Sequence, residues 1–376
     1  MLKFAKPTIY ISSVLVASYL SADATNAQIR NLENRVSALE QRKTSTGVIN
    51  PSGRPEVKNG ADLFITADLL IWQAHEDGLA YVTKGNSDTL YKSKTEELNF
   101  KWDPGCRVGI GWNTPHDGWD TLLTWTYYHT KASSTTTRDE DTLYPLFESP
   151  YYNSFLTTDP YSAHGKWRLN LNLIDFELGR EFFVSKWLTL RPFIGGRSAW
   201  IYQHMNANYN GYEYLPPTTT KGLGIDPITI NYRYRDRNAF WGVGVRPGLG
   251  SQWGLGNGFS FYGNTAVSLL YGFFQEKQHQ YCDFSSGDTV NHIKNNHSTR
   301  TSSVIVESQV GLRWETMSTN DRIHFSISAG WENFVFFGQN QFNRFVGATE
   351  ETQALFFANQ GDLTIQGYTL SLRLDF

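Results

Sequence analysis

Six arginines have the setting that pore chemistry or wall chemistry needs. Arg107, Arg168, Arg191, Arg197, Arg246 and Arg313 each lie in a run where polar and apolar residues alternate, and each falls on the polar parity. The acids Asp68, Asp120, Glu307 and Glu315 share that parity in their own runs. Strand side chains point to alternate faces with period two, so one parity means one face. Guanidinium and carboxylate groups ringed around a water-filled wall select ions. The same groups paired across a narrow wall would only brace it. The residues leave both arrangements open.

Catalytic patterns do not compete with this reading. The chain has no His-Glu-x-x-His pair and no Gly-x-Ser-x-Gly elbow. His279, His292 and His297 share a polar stretch with Asp283 and Asp288. Such a stretch could hold a metal, but histidines scattered among polar residues are ordinarily solvated. We expect no enzyme activity, no metal and no cofactor. Cys106 and Cys282 are the only two cysteines, too few for a metal-site pattern or a dense disulfide framework. One disulfide between them stays open for an exported chain. A net charge of -3 argues against nucleic acid as a partner.

The elements that must position these residues read as strands. Aromatic residues make up 15% of the chain, which favours strands. The mean hydropathy of -0.42 excludes a bundle of apolar helices. The final stretch, 367–376, alternates without a fault: Tyr368, Leu370, Leu372, Leu374 and Phe376 against Thr369, Ser371, Arg373 and Asp375. Similar alternation marks 62–73, 100–112, 119–129, 166–180, 187–202, 238–252, 259–272, 302–315 and 322–332. Within 166–180, Trp167, Leu169, Leu171 and Leu173 oppose Arg168, Asn170 and Asn172, and the phase slips near Asp175, which predicts a bulge there.

Short turns at 113–118, 182–187, 253–258 and 316–321 alternate with long polar segments at 74–99, 130–165, 203–237, 273–301 and 333–362. Short turns on one side and long connections on the other are the asymmetry of a membrane β-barrel. A soluble sandwich gives no reason for that sorting. Trp112, Trp119, Trp187, Trp253 and Trp314 stand beside the short turns, as an interfacial girdle would. The expected fold is therefore all-β: a transmembrane antiparallel barrel of about 10 strands, or 12 and more if a long segment hides a hairpin, spanning 61–376.

The N-terminus adds three expected segments. Residues 1–24 read as a signal peptide, with Lys3 and Lys6 before an apolar run and Ala22-Asp23-Ala24 as the cleavage site. In 25–43, Ile29, Leu32, Val36 and Leu39 form a short seam, either a coiled coil that could join a homotrimer or a tether. Residues 44–60 are a linker by composition.

Four stretches carry a family resemblance: 64–74 (FITADLLIWQA), 104–111 (PGCRVGIG), 119–125 (WDTLLTW) and 192–197 (PFIGGR). They resemble the major outer membrane proteins of the Legionella type, a family with relatives in chlamydia-like bacteria. The resemblance implies a porin-like protein abundant in the outer membrane, surrounded by its lipid and passing small hydrophilic solutes or ions by passive diffusion. The chlamydial proteins are cysteine-rich and cross-linked, and a chain with two cysteines inherits no such network. The alternative is a non-conducting structural protein or adhesin. It would meet a host or surface partner through its external loops, with Tyr151, Tyr152, Tyr209, Tyr212 and Tyr214 as aromatic anchors.

Overall fold

The computed structural model describes residues 51–55, 57, 60–86, 89–115, 117–139, 141–148, 158–214, 228–318, 321–346, 355–358 and 361–376. The expected signal peptide and the coiled-coil or tether segment lie outside the described residues. The strands are β1 (Leu63–Glu76), β2 (Val82–Asn86), β3 (Thr89–Glu96), β4 (Trp102–Asn113), β5 (Trp119–Thr137), β6 (Thr142–Pro145), β7 (Ser162–Arg180), β8 (Phe182–Phe183) and β9 (Leu188–Tyr214). They continue with β10 (Ile228–Val245), β11 (Gly248–Gly256), β12 (Phe259–Phe284), β13 (Thr289–Met317), β14 (His324–Asn340), β15 (Asn343–Val346), β16 (Leu355–Ala358) and β17 (Gly361–Asp375).

Twelve of these strands form one antiparallel sheet, and it closes on itself because β1 pairs with both β4 and β17. β10 and β11 pair with the same neighbours, β9 and β12, so they are one stave broken at Arg246 and Pro247. Proline has no N–H to give the ladder, yet the wall holds. Arg246 donates its N–H to the Gly195 carbonyl at 2.8 Å, and Val267 donates to the Pro247 carbonyl at 3.1 Å. With β8 a two-residue strip beside β9, the wall has ten staves. The edge of the last strand, left open by the sequence, finds its partner in the first: Phe64 faces Asp375 and Glu76 faces Leu363.

The outer surface of the wall is a broad apolar band. Ile65, Ile110, Leu123, Phe176, Ile194, Val243, Val267 and Leu370 all point outward and are exposed. Trp112, Trp187 and Trp253 border the band beside the short turns, and Trp102, Trp125, Tyr202, Trp241 and Tyr368 border it on the other side. No soluble monomer exposes so continuous an apolar surface. A band between two aromatic girdles is the dress of a barrel in lipid.

Beyond the second girdle the strands do not stop. β9, β12 and β13 run for 27, 26 and 29 residues, far more than the ~10 that cross a membrane. The segments expected as long polar loops are thus largely strand, because their polar residues sit on a wall that has left the lipid. Two of them also contain hairpins, but these stay outside the wall: β2 and β3 join β6 in a small sheet, and β15 pairs with β16.

The expected bulge near Asp175 is absent. β7 pairs with β5 and β9 in unbroken register. Trp167, Leu169, Leu171 and Leu173 point into the barrel and are buried, while Ile174 and Phe176 point outward. The phase slip marks the membrane boundary: below it the apolar parity faces lipid, above it the apolar parity fills the interior. Arg168 is consequently on the outer surface, which corrects its expected place on the inner wall.

An Arg at Val267, on the lipid-facing side of β12, is expected to destabilise the folded barrel by about 2–4 kcal/mol. The same residue at Gln275, on that side but past the girdle, should cost little. Denaturant unfolding in lipid vesicles compares the two, and equal costs would sink the depth assignment.

Candidate functional site

The interior of the barrel is layered by depth. Eight of the nine candidate residues lie on the inward face: Arg107, Arg191, Arg197, Arg246, Arg313, Asp68, Asp120 and Glu307. Arg168 is the exception. Their parity is set by plain alternation from strands whose other parity meets lipid.

Within the membrane level these charges are tied into a chain. Arg191 donates to Asp120 at 2.5 Å and to Glu177 at 2.8 Å. Arg246 donates to Glu177 at 2.5 Å and to Glu307 at 2.8 and 3.0 Å. Arg197 donates to Glu307 at 2.5 Å and grips Asp175 through two bonds of 2.6 Å. The path runs Asp120, Arg191, Glu177, Arg246, Glu307, Arg197, Asp175, acids and bases in strict alternation. It crosses the lumen, since Arg197 is on β9 and Glu307 on β13. A second link does the same elsewhere: Arg107 on β4 donates to Asp68 at 3.3 Å and to Glu332 on β14 at 3.0 Å. Arg313 donates to Gln252 at 2.9 Å and lies over the Tyr262 ring. At the mouth beside the short turns, Arg373 and His324 both bond Asp375.

Asp175, Glu177 and Glu332 were missing from the sequence candidates. For all three the signal was present: Asp175 and Glu177 alternate with Ile174, Phe176 and Leu178, and Glu332 shares the polar parity of 322–332 with His324, Ser326 and Ser328. Glycines shape the same wall. A side chain at Gly242 or Gly272 would run into the Phe240 ring, and one at Gly248 into the Phe193 ring, so these positions make room for inward aromatics.

A cavity of about 240 Å³ lies among these charges, lined by Asp68, Arg107, Arg191, Arg246, Glu307 and Arg313 with their neighbours. Above it the lumen turns apolar. Leu70, Tyr128, Leu171, Ile201, Phe240, Phe274, Ile305, Phe334 and Leu363 come from nine of the ten staves, and none is more than 3% exposed. Side chains around a water-filled bore would be wetted. These are packed against one another, as in Phe240 on Phe274 with ring centres 4.5 Å apart.

The far end is stoppered by segments that fold back. Asn343, at the start of β15, donates its backbone N–H to Glu276 at 3.0 Å, and its carbonyl accepts from Gln278 at 2.7 Å and from Tyr234 at 3.2 Å. Tyr209 donates to the Tyr81 carbonyl at 2.6 Å, and Arg344 donates to the carbonyls of Gly78 and Ala80. Phe147 and Phe342 are buried there. Tyr209 and Tyr212 are interior too, which removes them as surface anchors; Tyr151 and Tyr152 lie outside the described residues. Cys106 faces outward on β4 and Cys282 is buried on β12, so the two form no disulfide with each other.

In this extramembrane level, burial pushes the Glu276 and Asp236 carboxyls up, and the neighbouring Asp236 raises Glu276 further. The folded state therefore keeps a proton that the unfolded chain releases. Stability from this site is complete below the ordinary carboxylate range and falls as pH rises. The protection of the Asn343–Val346 amides, taken relative to the intrinsic exchange rate at each pH, should fall between about pH 5 and pH 9, and Glu276→Gln should flatten the dependence. A flat profile in the parent protein would contradict the assignment. In the membrane level, Glu307→Gln leaves Arg197 and Arg246 short of a buried counter-charge and should cost roughly 3–5 kcal/mol. Urea unfolding in vesicles reads this, and a cost under about 1 kcal/mol would mean the network is slack.

Comparison with known proteins identifies a family. The model of the family described as Legionella pneumophila major outer membrane protein precursor matches residues 54–376. No protein of curated function matches in sequence. Among solved structures, the outer membrane protease OmpT of Escherichia coli is 9% identical, covering 87% of this chain and 99% of that one, with a TM-score of 0.36. A FadL homologue of Pseudomonas aeruginosa is 8% identical over 84% and 89%, with a TM-score of 0.25. The toluene transporter TbuX of Ralstonia pickettii is 10% identical over 83% and 89%, with a TM-score of 0.27. Likenesses this loose carry no inference. The barrel, its lipid-facing band and a match across nearly all of the described chain place the protein in the outer membrane, as a member of the Legionella major outer membrane protein family.

Proposed function

We propose that the protein is a non-conducting structural barrel that presents its long strand extension and capping sheet at the cell surface. The observation that carries this reading is the apolar layer of the lumen. Nine staves each contribute a buried side chain there, with cross-lumen ion pairs such as Arg197–Glu307 and Arg246–Glu307 on one side and the Asn343–Glu276 bond on the other. A ten-strand barrel is narrow enough for side chains to fill, whereas open general porins use sixteen or more strands. The charged wall residues then brace opposite staves. We assign no reaction to them. The extension, by contrast, gives the chain a large outward surface held on a rigid wall, which suits recognition.

Passive diffusion, implied by the family resemblance, is the competing reading. It needs the apolar layer and the Asn343 cap to move aside together. Purified protein in a planar lipid bilayer is expected to stay electrically silent. Stepwise conductance that disappears when the interior aromatic Phe240 is held in place by a cross-link to β13 would overturn the structural reading and establish a pore.

A further inference from the structure

The outer surface just past the second aromatic girdle carries charge of a single sign. On β9 and β10, Trp200 faces Trp241; four pairs further out along the ladder, His204 faces Arg237, and two pairs after that Asn206 faces Arg235. Across β7 and β9, Arg168 faces His204 and Lys166 faces Asn206. Lys131 on β5 faces Arg168, and Lys277 on β12 faces Arg237. Partners across a ladder stand about 5 Å apart, so these groups form one patch over five staves. A cleft of about 290 Å³ runs through it, lined by Arg168, His204, Asn206, Asn208, Arg235 and Arg237.

Nothing within the described protein neutralises the patch. The outward positions of β5, β7, β9 and β10 at this level hold no acid. Among the described residues, Arg168, Arg235 and Arg237 have no carboxylate within ion-pair distance. The first acid outward is Asp283, and it is engaged by Arg233 at 3.4 Å. Arg235 is held in place by the Tyr281 ring, 5.1 Å from its guanidinium carbon. Partial burial together with the guanidiniums of Arg237 and Arg168 holds the His204 imidazole below its ordinary value, as an uncompensated positive field would.

We propose that this cleft binds the phosphate groups of the lipid headgroups in the outer leaflet. The location supplies the lipid. Arg237 lies four residues beyond Trp241, about 13 Å along a strand and less in height once the strand tilts, which is where headgroups sit above an aromatic belt. The donors supply the chemistry: planar guanidiniums take phosphate oxygens two at a time, and the Asn206 and Asn208 amides add neutral donors. Basic clefts on the outside of membrane proteins recognise anionic headgroups in this manner.

The test uses the full protein folded in a zwitterionic detergent and titrated with diphosphorylated lipid A, with dephosphorylated lipid A, with inorganic phosphate and with heparin. The parent should bind the phosphorylated lipid, and the pair Arg168→Glu, Arg237→Glu should weaken it at least roughly tenfold. Both side chains point away from the barrel interior, and the heat-dependent gel shift of folded barrels checks that the variant is intact. The neutral pair Arg168→Gln, Arg237→Gln carries the comparison if the glutamates impair folding, while Arg168→Lys with Arg237→Lys should retain most of the binding. Unchanged affinity in the charge-removing variants, or equal binding of dephosphorylated lipid, overturns the proposal. So does displacement by inorganic phosphate alone at about millimolar level, which would make the cleft a free-anion site, or tighter binding of heparin, which would assign it to an external polyanion.

Discussion

A strand in hydrocarbon can send its backbone N–H and C=O groups only to another strand. Everything in this molecule follows from meeting that demand without an edge. The first and last staves must pair, and they do so along their whole length, from Phe64 with Asp375 to Glu76 with Leu363. Even the break at Pro247, where the ladder lacks a donor, is bridged by bonds on both sides. Once the wall is closed with ten staves, its bore is about as wide as two facing layers of side chains.

That width decides the interior. Charges brought inward by alternation find themselves within reach of the opposite wall, so they pair across it. A buried charge without a partner is costly, and a buried pair with good geometry roughly offsets its own desolvation. The chain from Asp120 to Asp175 meets the condition by giving each guanidinium two carboxylates. Its contribution is therefore less net stability than a fixed cross-section. The apolar layer above it supplies ordinary core packing, inside a barrel whose outside meets lipid at one height and water at another.

The two surfaces thus exchange roles with depth. In the membrane the apolar parity faces out; beyond the girdle it faces in, and the outer parity becomes free to carry charge. The basic cleft around Arg168 and Arg237 exists because of this exchange. An arginine that belonged to the lumen would have needed a buried partner, while on the outer face above the lipid it needs none. Its positive face thus lies at the membrane boundary, outside an interior packed with buried side chains.

Much of this was legible in the sequence. Alternation with period two, the faultless last strand and the sorting of short and long connections determined an all-β barrel, because they depend only on local geometry and on lipid as a one-sided solvent. The parity of eight inward charges followed from the same rule. Depth did not follow. In 166–180 the alternation itself is unbroken and only the identity of the apolar parity changes, so a bulge and a boundary leave the same trace, and Arg168 fell on the wrong side. Nor could the sequence say that Asp175, Glu177 and Glu332 complete the inner ladder, or that Tyr209 and Asn343 stopper the far end. Those pairings join residues more than a hundred positions apart in several cases, and only the circumference, stagger and closure of the wall bring them to one level.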